Sequence, residues 1–397
     1  MKSLPLQLLD NDALSFRLER IFRLMKSEGM NSMLVSDNIN KFYLTGRIFD
    51  GYIYLSRPDA SIRYFVRRPT ELTGQDVYII RKVEDIPGIF ERGGIALTLP
   101  MGLETTQSSW ASVTRTAGAF GLEEFGNADA VLMQARAVKA PDEIRLIRAC
   151  GEKHDRVYRR IPHLFQDGMT DIELQVEIER LTRLEGGIGI MRVNGDDMEI
   201  NMGSVLTGRN ADTPSPYDFA LGGAGTSPAL PVGADGSVIK PGCTVMVDTN
   251  GDFNGYMTDM TRTFTLGSIP AEAVRAHEVS IDICRRLEKE GRAGVACATL
   301  YDMAMQMAAD AGLANRFMGH TRQAGFIGHG VGITINELPV LSPRSKSILE
   351  ENNIIAIEPK FVFEHTGAVG IENTYRVTAT GLECLTVTDE SLVSLGI

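Results

Sequence analysis

The 397-residue sequence contains little of several residue types on which other kinds of protein depend. Its five cysteines are scattered and none belongs to a CxxC pair, so we expect reduced thiols rather than disulfides or a cysteine-based zinc site. No apolar run approaches the roughly 18–20 residues of a membrane span, so we expect no membrane association. The N-terminal apolar stretch is interrupted by Pro5, Asp10 and Asp12, which a signal-peptide core does not tolerate. These features together predict a cytoplasmic protein.

Basic charge is also scarce. The chain has 40 Lys and Arg against 51 Asp and Glu, which gives a net charge of −11. A nucleic-acid surface needs clustered Lys and Arg, so we expect no nucleic-acid partner. What is present is the balance of a globular enzyme, with 43% hydrophobic and 23% charged residues. A chain of this length exceeds one ordinary core, so two domains are expected.

The pattern of periodicity changes near residue 136. Residues 1–135 combine a helical stretch at 13–30 with short strand-like runs, which predicts a small α/β domain. Pro141, followed by two acids, predicts the start of a long helix, because proline fits the first turn and acids suit the positive dipole end. Residues 136–397 predict an α+β domain with a mainly antiparallel sheet and further helices after Asp171, at 270–292 and at 297–312. The strand-like runs are SMLVSD, KFYLTG, YIYLSR, RYFVRR, VYIIRK and GIALTLP, then TVMVDTN, YMTDMTRTFTLG, NIIAIEPKFVF and VGIENTYRVT.

Asp248 and Asp259 flank a turn-rich segment, DFNG, that predicts a β-hairpin. If DFNG closes the hairpin, Gly251 opposes Tyr256 and Asp248 directly opposes Asp259, with Cβ atoms roughly 4.5–5.5 Å apart. Two ionised carboxylates at that distance repel each other unless a cation lies between them, and a divalent metal supplies that charge. These two residues alone leave open the alternative of a pair of solvated hairpin acids.

Three further residues favour the metal site. His329 stands in GHGVG, where glycines allow close backbone approach and leave the ring accessible, although a lone histidine is often structural. Glu358 ends the apolar run NIIAI and precedes a proline, a position that is costly for an unpartnered carboxylate. Glu372 lies in another strand-like run, VGIENTYRVT. Two Asp, one His and two Glu on predicted sheet elements therefore predict an oxygen-rich metal site with one nitrogen ligand.

In their order, these motifs resemble the pita-bread metallopeptidase family, which includes methionine aminopeptidase, aminopeptidase P, prolidase and creatinase. The resemblance covers nearly the whole chain, with 1–135 similar to the creatinase/prolidase N-terminal domain and 136–397 to the pita-bread catalytic domain. It implies a homodimeric hydrolase of a small peptide or amide, nominally an Xaa-Pro dipeptidase or aminopeptidase-like peptidase. Two divalent ions (Mn, Co, Fe or Zn) with a bridging water as nucleophile are implied as well. The resemblance implies that Asp248 binds one metal, that His329 and Glu358 bind the other, and that Asp259 and Glu372 bridge both. It also implies that Glu358 accepts a proton from the water, and that Glu358 and His329 are the catalytic residues.

The chain departs from the peptidases of this family at three positions. Histidines that usually surround the metals are replaced by Val232, Gly325 and Asn336. Loss of one preorganised donor near a developing oxyanion costs roughly 10²–10³ in rate, so the replacements favour a non-peptidase enzyme on the same fold as an alternative. Such an enzyme is a creatinase-like amidinohydrolase or a C–S lyase, and a non-catalytic binding protein is disfavoured because all five ligands are present. The residues expected to contact substrate are Val232, Asn336, His320, His365 and Arg376, with Arg209, Asp212 and Tyr217 in a loop before the sheet.

Overall fold

A computed structural model describes residues 9–68, 72–195 and 199–396. Residues 1–8, with most of the interrupted apolar stretch, lie outside this part. The chain divides into two compact units, one ending at Arg136 and the other beginning at Ala137. Among the described helices, none combines the length and apolarity needed to cross a bilayer. All five cysteines are free thiols.

The N-terminal unit is built on a six-stranded mixed sheet of order β4-β3-β2-β1-β5-β6. The strands are β1 (Ser32–Val35), β2 (Gly51–Ser56), β3 (Ser61–Val66), β4 (Val77–Ile79), β5 (Met101–Leu103) and β6 (Gly126–Asn127). The helices are α1 (Asn11–Ser27), α2 (Asn38–Thr45), α3 (Asp85–Gly93), α4 (Trp110–Phe120) and α5 (Ala128–Ala137).

Two strand predictions in this unit were wrong. The run KFYLTG lies in α2, because the Asp37 side chain accepts a hydrogen bond from the Ile39 amide and caps the helix start. Gly46, in the left-handed region at φ 69°, ends the helix. The run GIALTLP forms no strand, and β5 begins only at Met101, after Pro100. Local capping therefore outweighed the apolar pattern.

The described residues of the C-terminal unit form three sheets, and their strands pair antiparallel except for β17 with β9. The sheets have the orders β17-β9-β8-β7, β11-β10-β12-β15-β16 and β13-β14. The strands are β7 (Gly203–Thr207), β8 (Thr244–Asp252), β9 (Met257–Thr265), β10 (Gly328–Gly330), β11 (Glu337–Leu341), β12 (Ile354–Ile357), β13 (Lys360–Phe363), β14 (Gly367–Gly370), β15 (Asn373–Val377), β16 (Leu382–Cys384) and β17 (Val393–Ser394). The helices are α6 (Pro141–Tyr158), α7 (Asp171–Leu184), α8 (Ala271–Glu290) and α9 (Cys297–Asp310).

Helix α6 supports the β8–β9 hairpin from behind. Its proline is at the first helical position, and Glu143 accepts a hydrogen bond from the Ala140 amide, as the acidic start predicts. Further along, the buried His154 contacts the hydroxyls of Thr258 and Thr249 at 3.1 and 3.2 Å. Since neighbouring residues of a strand point to opposite faces, this packing directs Asp248 and Asp259 away from the helix.

The predicted hairpin register was wrong. Asp252 pairs with Met257, so the four-residue loop is FNGY rather than DFNG. The Asp252 carboxylate accepts a hydrogen bond from the Gly255 amide and organises the turn from its strand end. Asp248 consequently opposes Thr261 rather than Asp259. The two acids remain on one face, but as diagonal neighbours.

Two of the predicted strands are interrupted at the acidic residues they contain. NIIAIEPKFVF divides into β12 and β13 at Glu358, and these strands belong to different sheets. VGIENTYRVT divides into β14 and β15, with Glu372 in the gap. The chain thus leaves the five-stranded sheet at Glu358 and returns to it after Glu372, which places both carboxylates at the junction between sheets.

Candidate metal centre

Five side chains from separate sheet elements converge in the C-terminal unit. They are Asp248 on β8, Asp259 on β9, His329 on β10, Glu358 after β12 and Glu372 before β15. Their ligand atoms form two clusters, each with all atoms within 4.8 Å of one another, and Glu372 belongs to both. The first cluster consists of Glu372, Asp259 and His329, and the second consists of Glu372, Asp248 and Glu358.

The two glycines beside His329 are required by the packing of β10. A Cβ atom on Gly328 would lie 2.2 Å from the Ala356 carbonyl oxygen, and one on Gly330 would lie 2.1 Å from that of Leu338. The imidazole Nδ1 is 3.1 Å from the Gly330 carbonyl oxygen, so this nitrogen is placed to donate. A ring that donates from Nδ1 leaves Nε2 available as a metal ligand. Nε2 lies 3.7 Å from Asp259 Oδ2 and 3.6 Å from Glu358 Oε1.

Glu372 is held in place from both its backbone and its side chain. Thr261 exchanges backbone hydrogen bonds with Glu372 and donates its hydroxyl to Glu372 Oε2 at 2.7 Å. The buried Arg262 guanidinium donates to the carbonyls of Thr261 and Glu372 at 2.7 and 2.8 Å. These contacts join β9 to the start of β15.

Asp259 is fixed through its main chain. Its amide donates to the Thr374 hydroxyl at 2.8 Å, and that hydroxyl donates to the Asp259 carbonyl at 2.9 Å. Because the backbone is restrained in this way, the carboxylate remains directed toward His329.

Lys360, which we did not predict as part of the site, lies among the carboxylates. Its side chain is fully buried. Nζ donates to Asp248 Oδ2 at 2.7 Å, to Glu358 Oε2 at 2.6 Å and to Glu372 Oε2 at 3.2 Å. These three residues are the second of the two ligand clusters.

The electrostatics of the cluster reflect an excess of carboxylates over cations. Burial, reinforced by the neighbouring carboxylates, raises the pKa of Asp259 well above its usual range. Burial and then Glu358 raise the pKa of Glu372 in the same way, although Lys360 opposes the shift. Burial disfavours the charged form of Lys360, but the surrounding carboxylates outweigh it and raise the pKa of the ammonium group. The cluster can therefore accept further positive charge.

The first cluster has the donor set and the open valence that a divalent ion needs. Glu372 Oε1 is buried and has no hydrogen-bond partner among the described residues. His329 Nε2 lies 3.7 Å from Asp259 Oδ2 in the same cluster and 3.6 Å from Oε1 of Glu358, a residue of the other cluster. Both distances are close to the ~3.4 Å edge of a tetrahedron with ~2.1 Å metal–ligand bonds. One imidazole nitrogen with several carboxylates suits Mn, Fe, Co or Zn.

Two residues expected to contact substrate are engaged in the scaffold. Val232 is buried, and the following Gly233 packs near the hydroxyl of Ser204, which opposes Asp248 in the sheet. Asn336 accepts from the Asn194 amide at 2.6 Å and donates to the Asn194 carbonyl at 2.7 Å. Its side chain therefore anchors a neighbouring loop.

The other three expected substrate residues have partners away from the ligands. His320 contacts the Asp212 carboxylate at 3.3 Å. His365 lies on the exposed turn between β13 and β14 and accepts from Arg209 Nε at 3.1 Å. Arg376 lies four residues beyond Glu372, roughly 13 Å along an extended strand, and pairs with Glu383 at 3.3 Å.

A cavity opens on the chain segment that precedes His329. It is lined by Asp212, Tyr217, Arg322 and Gly325, among others. A Cβ atom on Gly325 would meet no atom within 4 Å, so the position of the missing histidine is open space. The next residue, Phe326, packs edge-on against the His329 ring with centroids 6.2 Å apart.

Comparison with known proteins identifies the family. The model of metallopeptidase family M24 matches residues 145–379, and that of the creatinase/prolidase N-terminal domain matches residues 17–138. The chain belongs to metallopeptidase family M24. This confirms the resemblance stated from the motifs, and with it a family of metal-dependent hydrolases.

Relatives and solved structures agree with the family. The chain is 25% identical over 384 residues to the Xaa-Pro dipeptidase of Pyrococcus furiosus, across 95% of this chain and 99% of that protein. The structure of an Xaa-Pro dipeptidase from Bacillus anthracis matches with a TM-score of 0.79 at 19% identity, across 96% of this chain and 100% of that one. An X-Pro aminopeptidase from Thermotoga maritima matches with a TM-score of 0.76 at 21% identity, across 94% and 100%. These structures confirm the predicted fold, a pita-bread domain with an α/β N-terminal domain.

We did not predict two residues of this M24 site, although the sequence contains a signal for each. Lys360 is a cation inside the apolar run NIIAIEPKFVF, and a buried lysine needs counter-charges nearby. Arg262 stands in the strand YMTDMTRTFTLG, where a buried arginine likewise requires acceptors.

Proposed function

We propose that this M24 protein is a metal-dependent hydrolase of a small peptide or amide, nominally an Xaa-Pro dipeptidase or aminopeptidase-like peptidase. The observation that supports it most is the cluster of Asp259, His329 and Glu372, in which the buried Glu372 Oε1 has no donor among the described residues. Buried polar atoms normally have a partner, so an unpartnered carboxylate oxygen on a residue whose ligand atom lies within 4.8 Å of those of Asp259 and His329 supports a ligand position.

The chemistry divides between the bound ion and the residues around it. A divalent ion supplies a Lewis acid for the substrate carbonyl and lowers the pKa of water. Glu358 is placed to accept a proton from that water, because Oε1 faces the ligand cluster and Oε2 is held by Lys360. The family resemblance implies two ions with a bridging water, which requires that Lys360 Nζ leave the centre of the second cluster.

A second candidate function, a non-peptidase reaction on the same fold, is favoured by the substrate side of the site. Val232 is apolar, Gly325 faces open space, and both polar atoms of the Asn336 side chain are used by Asn194. None of these three supplies the donor that a histidine would direct at a developing oxyanion. A creatinase-like amidinohydrolase or a C–S lyase fits such a site.

A substrate panel separates the two functions. The protein is first stripped of metal and then reloaded in turn with Mn, Co, Fe and Zn. Each metal form is assayed on Xaa-Pro dipeptides, Xaa-Pro tripeptides, guanidino acids and sulfonium acids. We expect metal-dependent release of amino acid from an Xaa-Pro peptide, lost in Glu358→Gln. Metal binding without cleavage of any peptide would favour the non-peptidase function. Failure to bind any of the four metals would refute both proposed functions.

We further propose that the protein is a cytoplasmic homodimer with domains at 1–135 and 136–397, as the resemblance and composition predict. Light scattering measures the molar mass in solution, and a mass of one chain would contradict the homodimer.

A further inference from the structure

Lys360 lies at one of the two possible cation positions formed by the candidate ligands. Nζ is within 3.2 Å of one oxygen from each of Asp248, Glu358 and Glu372. These are the three residues of one ligand cluster, so the ammonium group already stands where a cation would bind. An ammonium group is a point charge with three donors, and here each donor has a carboxylate acceptor.

The two glutamates link this position to the other one. Glu358 gives Oε2 to Lys360, and its Oε1 lies 3.6 Å from His329 Nε2. Glu372 gives Oε2 to Lys360 and Thr261, whereas Oε1 is buried without a hydrogen-bond partner among the described residues. Each glutamate therefore gives one oxygen to the ammonium group. The second oxygen of Glu358 lies near His329, and the second oxygen of Glu372 has no hydrogen-bond partner among the described residues.

Lys360 is also anchored so that it cannot easily leave. Its side chain is 0% exposed, and its backbone pairs with Gly370 in the β13–β14 ladder. Its carbonyl accepts from the Met318 amide at 2.7 Å. A metal in the Lys360 position would force the buried ammonium group away from its only charge partners among the described residues, an unfavourable change inside the protein.

We propose that Lys360 permanently occupies one of the two cation positions and that the protein binds a single divalent ion, held by Asp259, His329, Glu358 and Glu372. Asp248 then serves the ammonium group rather than a metal. This inference rests on the proposed metal-dependent function and specifies its ion content.

The test is the number of ions per chain. Full-length protein is loaded with Mn²⁺, freed of excess ion and analysed by elemental analysis and electron paramagnetic resonance. We expect one Mn²⁺ per chain with the spectrum of an isolated ion. Two ions with the spectrum of an exchange-coupled pair would overturn the single-ion inference and leave the proposed function intact. No bound ion would refute both.

Variants then test Lys360 itself. The Lys360→Gly substitution opens the second position, so this variant is expected to bind two ions per chain. The double variant that also carries Asp248→Asn is expected to bind one ion per chain again. Asp248→Asn alone is expected to keep the single ion, whereas a dinuclear site would lose one. A Lys360→Gly protein that still binds one ion would contradict the proposed role of the lysine.

The chain offers a matched control in Lys139, which is also fully buried and pairs with Glu337 at 2.9 Å outside the cluster. Lys139→Met is expected to keep one ion per chain. If Lys360→Gly fails to fold, the wild-type and Asp248→Asn counts still decide the matter.

Discussion

At the scale of single residues, the site depends on side chains whose orientation is set by the protein itself. His329 is placed to donate from Nδ1 to the Gly330 carbonyl, and glycines on either side allow β10 to pack against its neighbours. A ring held this way presents Nε2 to an ion without first losing rotamer freedom. The more exposed His320 and His365 contact Asp212 and Arg209 instead.

We predict that His329→Ala lowers metal affinity by at least about 100-fold, since even supporting groups around a metal ligand contribute about 10–100-fold. Titration calorimetry with Mn²⁺ measures the change. His320→Ala is the matched control, because that ring contacts Asp212 on the surface, and its affinity should equal that of the wild type. Equal losses in both variants would show that His329 is not a ligand.

We predict that Arg262→Met destabilises the protein by about 3 kcal/mol or more, because several buried carbonyl acceptors lose their donor. Urea unfolding measures the change. Arg180→Met, which removes only an exposed ion pair with Glu177, should cost less than about 1 kcal/mol. Similar losses for the two variants would contradict the structural role of Arg262.

The convergence of the five candidate ligands follows from residue types in motifs, whereas the place of Lys360 among them could not be predicted in the same way. A carboxylate at the end of an apolar run indicates a partner but not which partner. The ammonium group reaches Asp248 only because β13 leaves the sheet to which β12 belongs. That crossing depends on tertiary packing, which one sequence does not display.

At the scale of elements, the β8–β9 hairpin carries two of the candidate ligands, Asp248 and Asp259, and α6 packs against its opposite face. Burial, followed by the positive charge of Arg262, lowers the pKa of His154 to about 3. The ring is therefore neutral between two threonine hydroxyls at pH 7.

This arrangement predicts acid sensitivity. Between pH 6.5 and pH 3 the unfolded chain protonates this histidine and the folded chain does not, so stability is complete above pH 6.5 and falls on acidification by about 1.4 kcal/mol per pH unit. At pH 5 the loss is about 2 kcal/mol. Urea unfolding of wild type and His154→Gln at pH 7 and pH 5, with chelator, should show a smaller loss in the variant. The same pH dependence in both would contradict the assignment.

Element types followed from the sequence more reliably than element registers. The start of α6 was predictable because Pro141 and Glu143 act locally. The hairpin register was not, because two four-residue loops fit the turn-rich segment and the choice depends on Asp252 bonding to Gly255. A shift of two residues keeps each side chain on its face, so the pattern of burial could not separate the alternatives.

At the scale of the whole molecule, all candidate ligands belong to the unit that begins at Ala137. Ligand binding to the folded state stabilises by RT ln(1 + [L]/Kd), which is about 2.7 kcal/mol at one hundred times Kd. This stabilisation should be largest in the strands that carry the candidate ligands, because the bound ion restrains those strands directly.

We predict that saturating Mn²⁺ slows amide hydrogen exchange in peptides from β8, β9, β10 and β12 and leaves peptides from β1–β3 unchanged. Exchange measured by mass spectrometry with and without chelator provides the comparison. Equal protection of the N-terminal strands would show that the ion acts on the whole chain rather than through this cluster.

The most direct measurement is an anomalous diffraction map from crystals of the Mn²⁺-loaded protein. We predict one peak per chain, in contact with Asp259, His329, Glu358 and Glu372, with Lys360 Nζ still bound to Asp248. Two peaks, one of them between Asp248 and Glu372 with the lysine displaced, would contradict the single-ion site. A map without a peak at this cluster would contradict the metal-dependent function as well.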